Sequence, residues 1–297
     1  MNGKLPFSVG VITDEVSQSL AVAIEFCKQF GLTALELRSV DGVSPFDWTE
    51  AQVKDMKALC DEHGMQVVAI SAPLFKCEIG DTDAVANHVA SFERLCGFAK
   101  ILDADLIRGF DFWECGASLE DRAKKYAPII ELCEKYDVFC ALEYDPSVHS
   151  SDPLKLSEMV NAINHKRIGA LYDPGNGLYS DPSIVPYPQG YEALKDRLCH
   201  IHVKDAIAYA SPKGTEAVRV GEGQVDWHGL FTRLLRDGYD GYVMLETHYR
   251  KNVILTEEQL QRPGGYDFSD GAYDASLESM ESLLQIIEQA RKEVTQS

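Results

Sequence analysis

No C-x-x-C pair occurs among the eight cysteines of this 297-residue chain, at positions 27, 60, 77, 96, 115, 133, 140 and 199. Thiols scattered in this way, several of them inside predicted helices or strands, read as buried side chains in a reducing, cytoplasmic setting. Basic residues are scarce, with 28 Lys plus Arg against 47 Asp plus Glu and a formal net charge of -19. Such a chain repels a polyphosphate backbone, and no basic cluster compensates, so nucleic acid is not an expected partner. One or two local Arg or Lys residues would still suffice for a phosphorylated small molecule. No apolar run approaches a membrane span, and residues 1–7 lack the apolar core of a signal peptide, so neither membrane nor export is expected. The chain also lacks a Gly/Ser linker, a composition break and any low-complexity tract, which leaves one domain over 1–297. A Gly-rich phosphate turn is missing too. Thr13-Asp14-Glu15-Val16 follows the first predicted strand instead, which counts against a doubly wound open sheet.

What is present is alternation. Strands are predicted at 7–12, 32–37, 65–71, 104–109, 138–143, 168–172, 199–203 and 242–246, with helical patterns between them, including 19–30, 49–63, 82–102 and 118–136. The local punctuation agrees: Gly31 and Gly64 stand at helix stops, Thr49-x-x-Gln52 is a capping box, and Asp152-Pro153 opens a helix. Eight such units of about 30 to 40 residues predict an α/β fold, a (β/α)8 TIM barrel. The long loops follow the third, sixth, seventh and eighth strands, and therefore share the C-terminal face of the barrel. An insertion at 247–273, containing Pro263-Gly264-Gly265, is too long for a simple connection and reads as a lid or an oligomer contact.

Four strand ends carry groups that bind cations. In Cys199-His200-Ile201-His202-Val203-Lys204-Asp205, residues two apart share a face, so His200 and His202 point together, away from Ile201 and Val203. Three further strands finish on Glu143, Asp173 and Glu246. Together Glu143, Asp173, His202 and Glu246 supply three oxygen ligands and one nitrogen ligand, a set that suits Mn2+, Mg2+, Co2+ or Zn2+. Proton transfer at a carbon beside a carbonyl needs a carboxylate on the face that loses the proton, and a second one opposite allows return with inversion. Glu143 and Glu246 are the expected pair, with the metal stabilising the enediolate. Arg38, Arg108, Lys204 and Arg219 are candidates for binding substrate oxygens or a phosphate, Lys204 foremost because it alternates with His202. Asp205 and His248 are candidates for orienting ligands, and Phe112, Trp113 and Tyr179 for an apolar wall against a sugar ring.

Several motifs together resemble a known family. They are Ala-Leu-Glu143, Tyr-Asp173-Pro-Gly-Asn176, His-Ile-His202-Val-Lys-Asp, Gly221-Glu-Gly-Gln-Val-Asp-Trp227 and Gly238-Tyr-Asp-Gly-Tyr242 leading to Leu-Glu246. Across nearly the whole chain the sequence resembles the xylose-isomerase-like TIM-barrel superfamily, and within it the sugar phosphate isomerase/epimerase group. The resemblance implies a metal-dependent enzyme on a sugar, keto-sugar or cyclitol, with the four residues on the metal, the two glutamates exchanging the proton, and a homo-oligomeric assembly. Asn176 stands where several ketose epimerases of the group carry a substrate-binding histidine. Asn176, Arg108, Arg219, Lys204 and His248 are the substrate-binding candidates. A lyase or dehydratase acting on a 3-keto-sugar, glycoside or inosose through the same carboxylates is the alternative. A metal-dependent endonuclease is opposed by the acidic chain and its single four-ligand site, and a non-catalytic sugar-binding subunit by the presence of both glutamates.

Overall fold

Apolar runs of four to nine residues form the strands, and their alternation decides what faces where. The computed structural model describes residues 5–181, 183–209, 214–250, 269 and 271–296. In chain order the strands are β1 Ser8–Ile12, β2 Ala34–Leu37, β3 Gln66–Leu74, β4 Leu106–Gly109, β5 Phe139–Glu143, β6 Ile168–Tyr172, β7 Leu198–Val203, β8 Asp205–Ala208, β9 Thr215–Val218 and β10 Tyr242–Leu245. All but β8 and β9 pair in parallel and close in the order β1-β10-β7-β6-β5-β4-β3-β2, the TIM barrel expected from the sequence. The helices are α1 Leu20–Gln29, α2 Glu50–Glu62, α3 Thr82–Leu102, α4 Leu119–Lys124, α5 Ala127–Tyr136, α6 Pro153–Ile163, α7 Pro174–Ser180, α8 Tyr191–Leu194, α9 Trp227–Asp237 and α10 Ala272–Gln296.

Two cores result. Outward-facing strand residues such as Ile201, Val203, Val243 and Leu245 join the helix faces in the larger one. Each large aliphatic side chain buried there contributes about 1.5–3 kcal/mol. Inside the barrel a smaller cluster of Ile12, Ala34, Val68, Ala69, Leu106, Ala141, Leu171 and Met244 shares the space with buried Glu36, His200 and His202. The expected helix starts hold. Thr49 Oγ1 accepts from Gln52 N (3.3 Å) while Thr49 N donates to Gln52 Oε1 (2.9 Å), and Asp152 Oδ1 accepts from Leu154 N (2.9 Å) and Lys155 N (3.0 Å).

Three segments differ from expectation. The helix predicted at 118–136 is two helices, because Pro128 has no N–H to give and opens α5 in its first turn. The loop read at 173–189 contains α7, which begins at Pro174 and is capped by Asp173. After β7 the chain forms an antiparallel hairpin, β8 with β9, where a loop was expected. Of the insertion read at 247–273, residues 251–268 and 270 lie outside those described.

Candidate metal centre

Strands β5, β6, β7 and β10 are consecutive around the barrel, so their C-terminal ends deliver side chains to one point. Glu143 closes β5, Asp173 follows β6, His202 lies near the end of β7 and Glu246 follows β10, and all four are buried. One ligand atom from each lies within 4.8 Å of the others. His202 Nδ1 stands 3.4 Å from Glu143 Oε1 and 3.1 Å from Glu246 Oε2. These two contacts and the Lys204 ammonium, 3.1 Å from Glu246 Oε2, are electrostatic, and no further hydrogen bond reaches His202 Nδ1 or Glu246 Oε2 among the described residues. Three carboxylates and an imidazole nitrogen are a donor set that fits a divalent cation, and these two atoms are where it would gain ligands.

The imidazole is held from behind. His202 Nε2 lies 3.1 Å from both oxygens of Glu36, which also meets His200 Nε2 at 2.7 Å and accepts from Ser71 Oγ. Donation of Nε2–H to Glu36 turns Nδ1 toward the carboxylates, where a cation would take the place of its proton. Sequence reasoning did not single out Glu36. Its signal was a lone carboxylate alternating with Leu35 and Leu37 in a fully buried strand.

Cations ring the cluster. Arg38 donates through Nη1 to Glu246 Oε1 (2.7 Å), through Nη2 to Glu15 Oε1 (2.6 Å) and through Nε to Asp14 Oδ1 (2.8 Å). Arg108 Nη1 donates to Glu143 Oε2 (3.0 Å). Lys204 Nζ donates to Asp173 Oδ2 (2.8 Å) and Asn176 Oδ1 (3.0 Å) and stands 3.1 Å from Glu246 Oε2. Asn176 Nδ2 in turn donates to Glu143 Oε1 (3.1 Å) and to the Tyr144 carbonyl (3.0 Å). His248 Nε2 lies 3.3 Å from both Glu15 Oε1 and Glu246 Oε1.

Not every candidate joins. Arg219 pairs with Glu222 at 2.7 Å, on a side chain that is 40% exposed, and makes no described contact with the cluster. Asp205 fastens the chain instead of orienting a ligand, accepting from the backbone N–H groups of Ala206, Gly221, Gly223 and Val225. Phe112 is core, stacked on Phe75 at 4.4 Å, whereas Trp113 is exposed. Instead of a single four-ligand group, three overlapping sets of possible ligands occur among the described residues. The others are Glu36, His200 and His202, already bonded to one another, and Glu15, Glu246 and His248.

Protonation follows from burial and neighbours. Burial pushes the Glu143 carboxyl up, but Arg108 and then His202 outweigh it and hold it below the usual range. Glu246 lies well below its ordinary value, because Lys204, His248 and His202 together overcome burial. Asp173 goes the other way: burial lifts it to about 7, Lys204 offsets only part, and Glu246 and Glu143 add to the rise. For His202 burial alone favours the neutral ring, yet Glu36, Glu143 and Glu246 raise its proton affinity well above normal.

A family model described as a xylose isomerase-like TIM barrel matches residues 24–283. An uncharacterized protein of Methanocaldococcus jannaschii, MJ1311, is 24% identical over 146 residues, 48% of each chain, so the chain spans about half the length of that curated relative. Among solved structures, the IolI protein with a bound zinc atom superposes with a TM-score of 0.73 at 16% identity, covering 96% of this chain and 99% of that one. An L-ribulose 3-epimerase gives 0.71 at 15% identity over 97% of both chains. A probable 3-DHS dehydratase from Bacillus anthracis gives 0.64 at 15% identity, covering 91% of this chain and 99% of that one. At these identities the likeness is one of fold, whereas the family model spans most of the sequence: the chain belongs to the xylose isomerase-like TIM barrel family.

Proposed function

We propose that this protein is a divalent-metal-dependent isomerase or epimerase of a sugar, keto-sugar or cyclitol, in which Glu143, Asp173, His202 and Glu246 hold the ion. The observation that carries the reading is the convergence of these four buried side chains, one ligand atom of each lying within 4.8 Å of the others. When bound, the ion polarises the substrate carbonyl and stabilises the negative charge that develops on its oxygen. Glu246 and Glu143 are both kept ionised by their cationic neighbours, so each can accept a proton from the carbon beside that carbonyl. Arg38 and Arg108 each hold one oxygen of their glutamate, which fixes the direction of the other. Lys204, Asn176, Arg108 and His248 surround the same space and are the groups to bind substrate oxygens.

A second reading is elimination by the same carboxylates, and Lys204 favours it. Its buried ammonium, 3.1 Å from Glu246 Oε2 and held charged by the surrounding carboxylates, is a hydrogen-bond donor that would stabilise an oxygen leaving group beside the proton acceptor. NMR in D2O separates the two, using Mn2+-loaded protein with a panel of ketoses, keto-sugars and inososes beside the Glu246→Gln variant. Carbon-bound deuterium should appear with the wild type and vanish in the variant, and an epimerised product rather than a dehydrated one supports the first reading. No exchange with any compound, despite bound metal, defeats both.

A further inference from the structure

Away from the metal centre, the loops after β4 and β5 bring a thiol, an imidazole and a carboxylate into line. Cys115 Sγ lies 3.5 Å from His149 Nε2, and His149 Nδ1 lies 3.1 Å from Glu114 Oε2. Each member is held. The His149 backbone N–H donates to the carbonyls of Asp111 (3.2 Å) and Phe112 (3.0 Å), and Glu114 Oε1 accepts from Gly116 N (2.8 Å). His149 is only 5% exposed, while Cys115 is exposed, so the base is sheltered and the sulfur is accessible. With the carboxylate taking Nδ1–H, Nε2 carries the lone pair. The Cys115 backbone N–H donates to it (3.3 Å), and the Cys115 thiol lies within hydrogen-bond reach of it. Burial and the Arg122 charge keep this ring neutral, Glu114 opposing them only in part, which suits a proton acceptor.

We propose that Cys115, His149 and Glu114 form a nucleophilic thiol site that exchanges with small disulfides, His149 acting as base and Glu114 fixing its tautomer. His149 Nε2 takes the S–H proton, and the thiolate attacks one sulfur of the disulfide. The old S–S bond breaks as the new one forms at Cys115, and the departing thiolate recovers the proton from the imidazolium. Cys115 is oxidised and the small disulfide is reduced, so no further oxidant is needed. Acyl transfer fits less well, because the nucleophile's own N–H, the usual oxyanion donor, is spent on His149. The other cysteines are half-buried (Cys199) or buried, and burial pushes Cys27 and Cys199 up to about 12. A mixed disulfide at Cys115 would stand on the rim above the strand ends that carry Arg108 and Glu143.

The test is the rate of reaction of the full-length protein with 5,5'-dithiobis(2-nitrobenzoate), with the site mapped by peptide mass spectrometry, and then with oxidised glutathione. Cys115 should react at least about tenfold faster than any other cysteine, and the fast phase should vanish in Cys115→Ser. His149→Gln should slow Cys115 by about tenfold and Glu114→Ala by a smaller factor. The exposed Glu114 variant decides the matter if His149→Gln fails to fold. A fast phase that survives in Cys115→Ser overturns the proposal, as does an unchanged Cys115 rate in Glu114→Ala.

Discussion

Glu36 is the residue on which the proposed metal centre leans most without belonging to it. Its two oxygens meet His202 Nε2, His200 Nε2 and Ser71 Oγ inside the barrel. Replacing it by Gln puts an amide N–H where His202 needs an acceptor, so the ring can turn or change tautomer. Mn2+ affinity of Glu36→Gln, measured by titration calorimetry, should fall by about 10–100-fold, as is usual when the partner of a ligating histidine is lost. Unchanged affinity in a folded variant would remove Glu36 from the centre. A second consequence concerns protons. In the metal-free protein Asp173 is lifted to about 7 and His202 well above its ordinary value, so both hold protons at pH 6 that a cation must displace. Binding should therefore release protons and tighten as pH rises through 7, weakening again as pH falls. Calorimetry in buffers of different ionisation enthalpy measures the release, and a buffer-independent heat would contradict it. The four proposed ligands were legible because each ends an apolar strand. Arg38 was legible as a candidate but its pairing with Glu246 was not, nor was that of Glu36 with His200, since these partners stand 208 and 164 positions away and are brought close only by closure of the barrel.

At the scale of elements, the segment between β7 and α9 shows what a pattern of glycines conceals. Gly221-Glu222-Gly223 reads as part of the loop after β7, yet it is drawn onto Asp205, whose carboxylate gathers four backbone N–H groups and fixes the end of the β8–β9 hairpin. Gly223 is required there by close approach. A Cβ at that position would overlap the Asp205 carboxylate and lie 2.6 Å from the Ala206 carbonyl oxygen. Gly223→Ala should thus cost about 1–3 kcal/mol in urea unfolding, whereas Gly80→Ala, with open space around its Cβ, should stay within about 0.5 kcal/mol of wild type. Equal stabilities would mean the loop yields freely. The hairpin was missed in the sequence because its two strands are only four residues each and carry no alternating apolar pattern. The break between α4 and α5 had a visible cause in Pro128, which apolar periodicity alone overrides.

For the whole molecule, the barrel was legible because eight apolar strands separated by helical patterns leave few ways to bury both faces of a parallel sheet. What the pattern cannot contain is the charge inside. Closure buries Glu36, Glu143, Asp173 and Glu246 with His202, Lys204, Arg38 and Arg108, and the cations are already committed to individual oxygens. His202 Nδ1 faces Glu143 Oε1 and Glu246 Oε2 at 3.4 and 3.1 Å, so a divalent ion should bind by taking the place of a proton among these buried oxygens. Anything bound by the folded state alone stabilises it, by about 2.7 kcal/mol at a hundredfold excess over Kd. For a chain of this size that corresponds to a rise in Tm of roughly 5 °C. Thermal scans of chelator-treated protein with and without added Mn2+ should show that rise, and it should disappear in both Glu246→Gln and Asp173→Asn. A wild-type Tm indifferent to Mn2+, Mg2+, Co2+ and Zn2+ would mean that the four side chains satisfy one another. The enolisation proposed above would then lose the ion on which it depends.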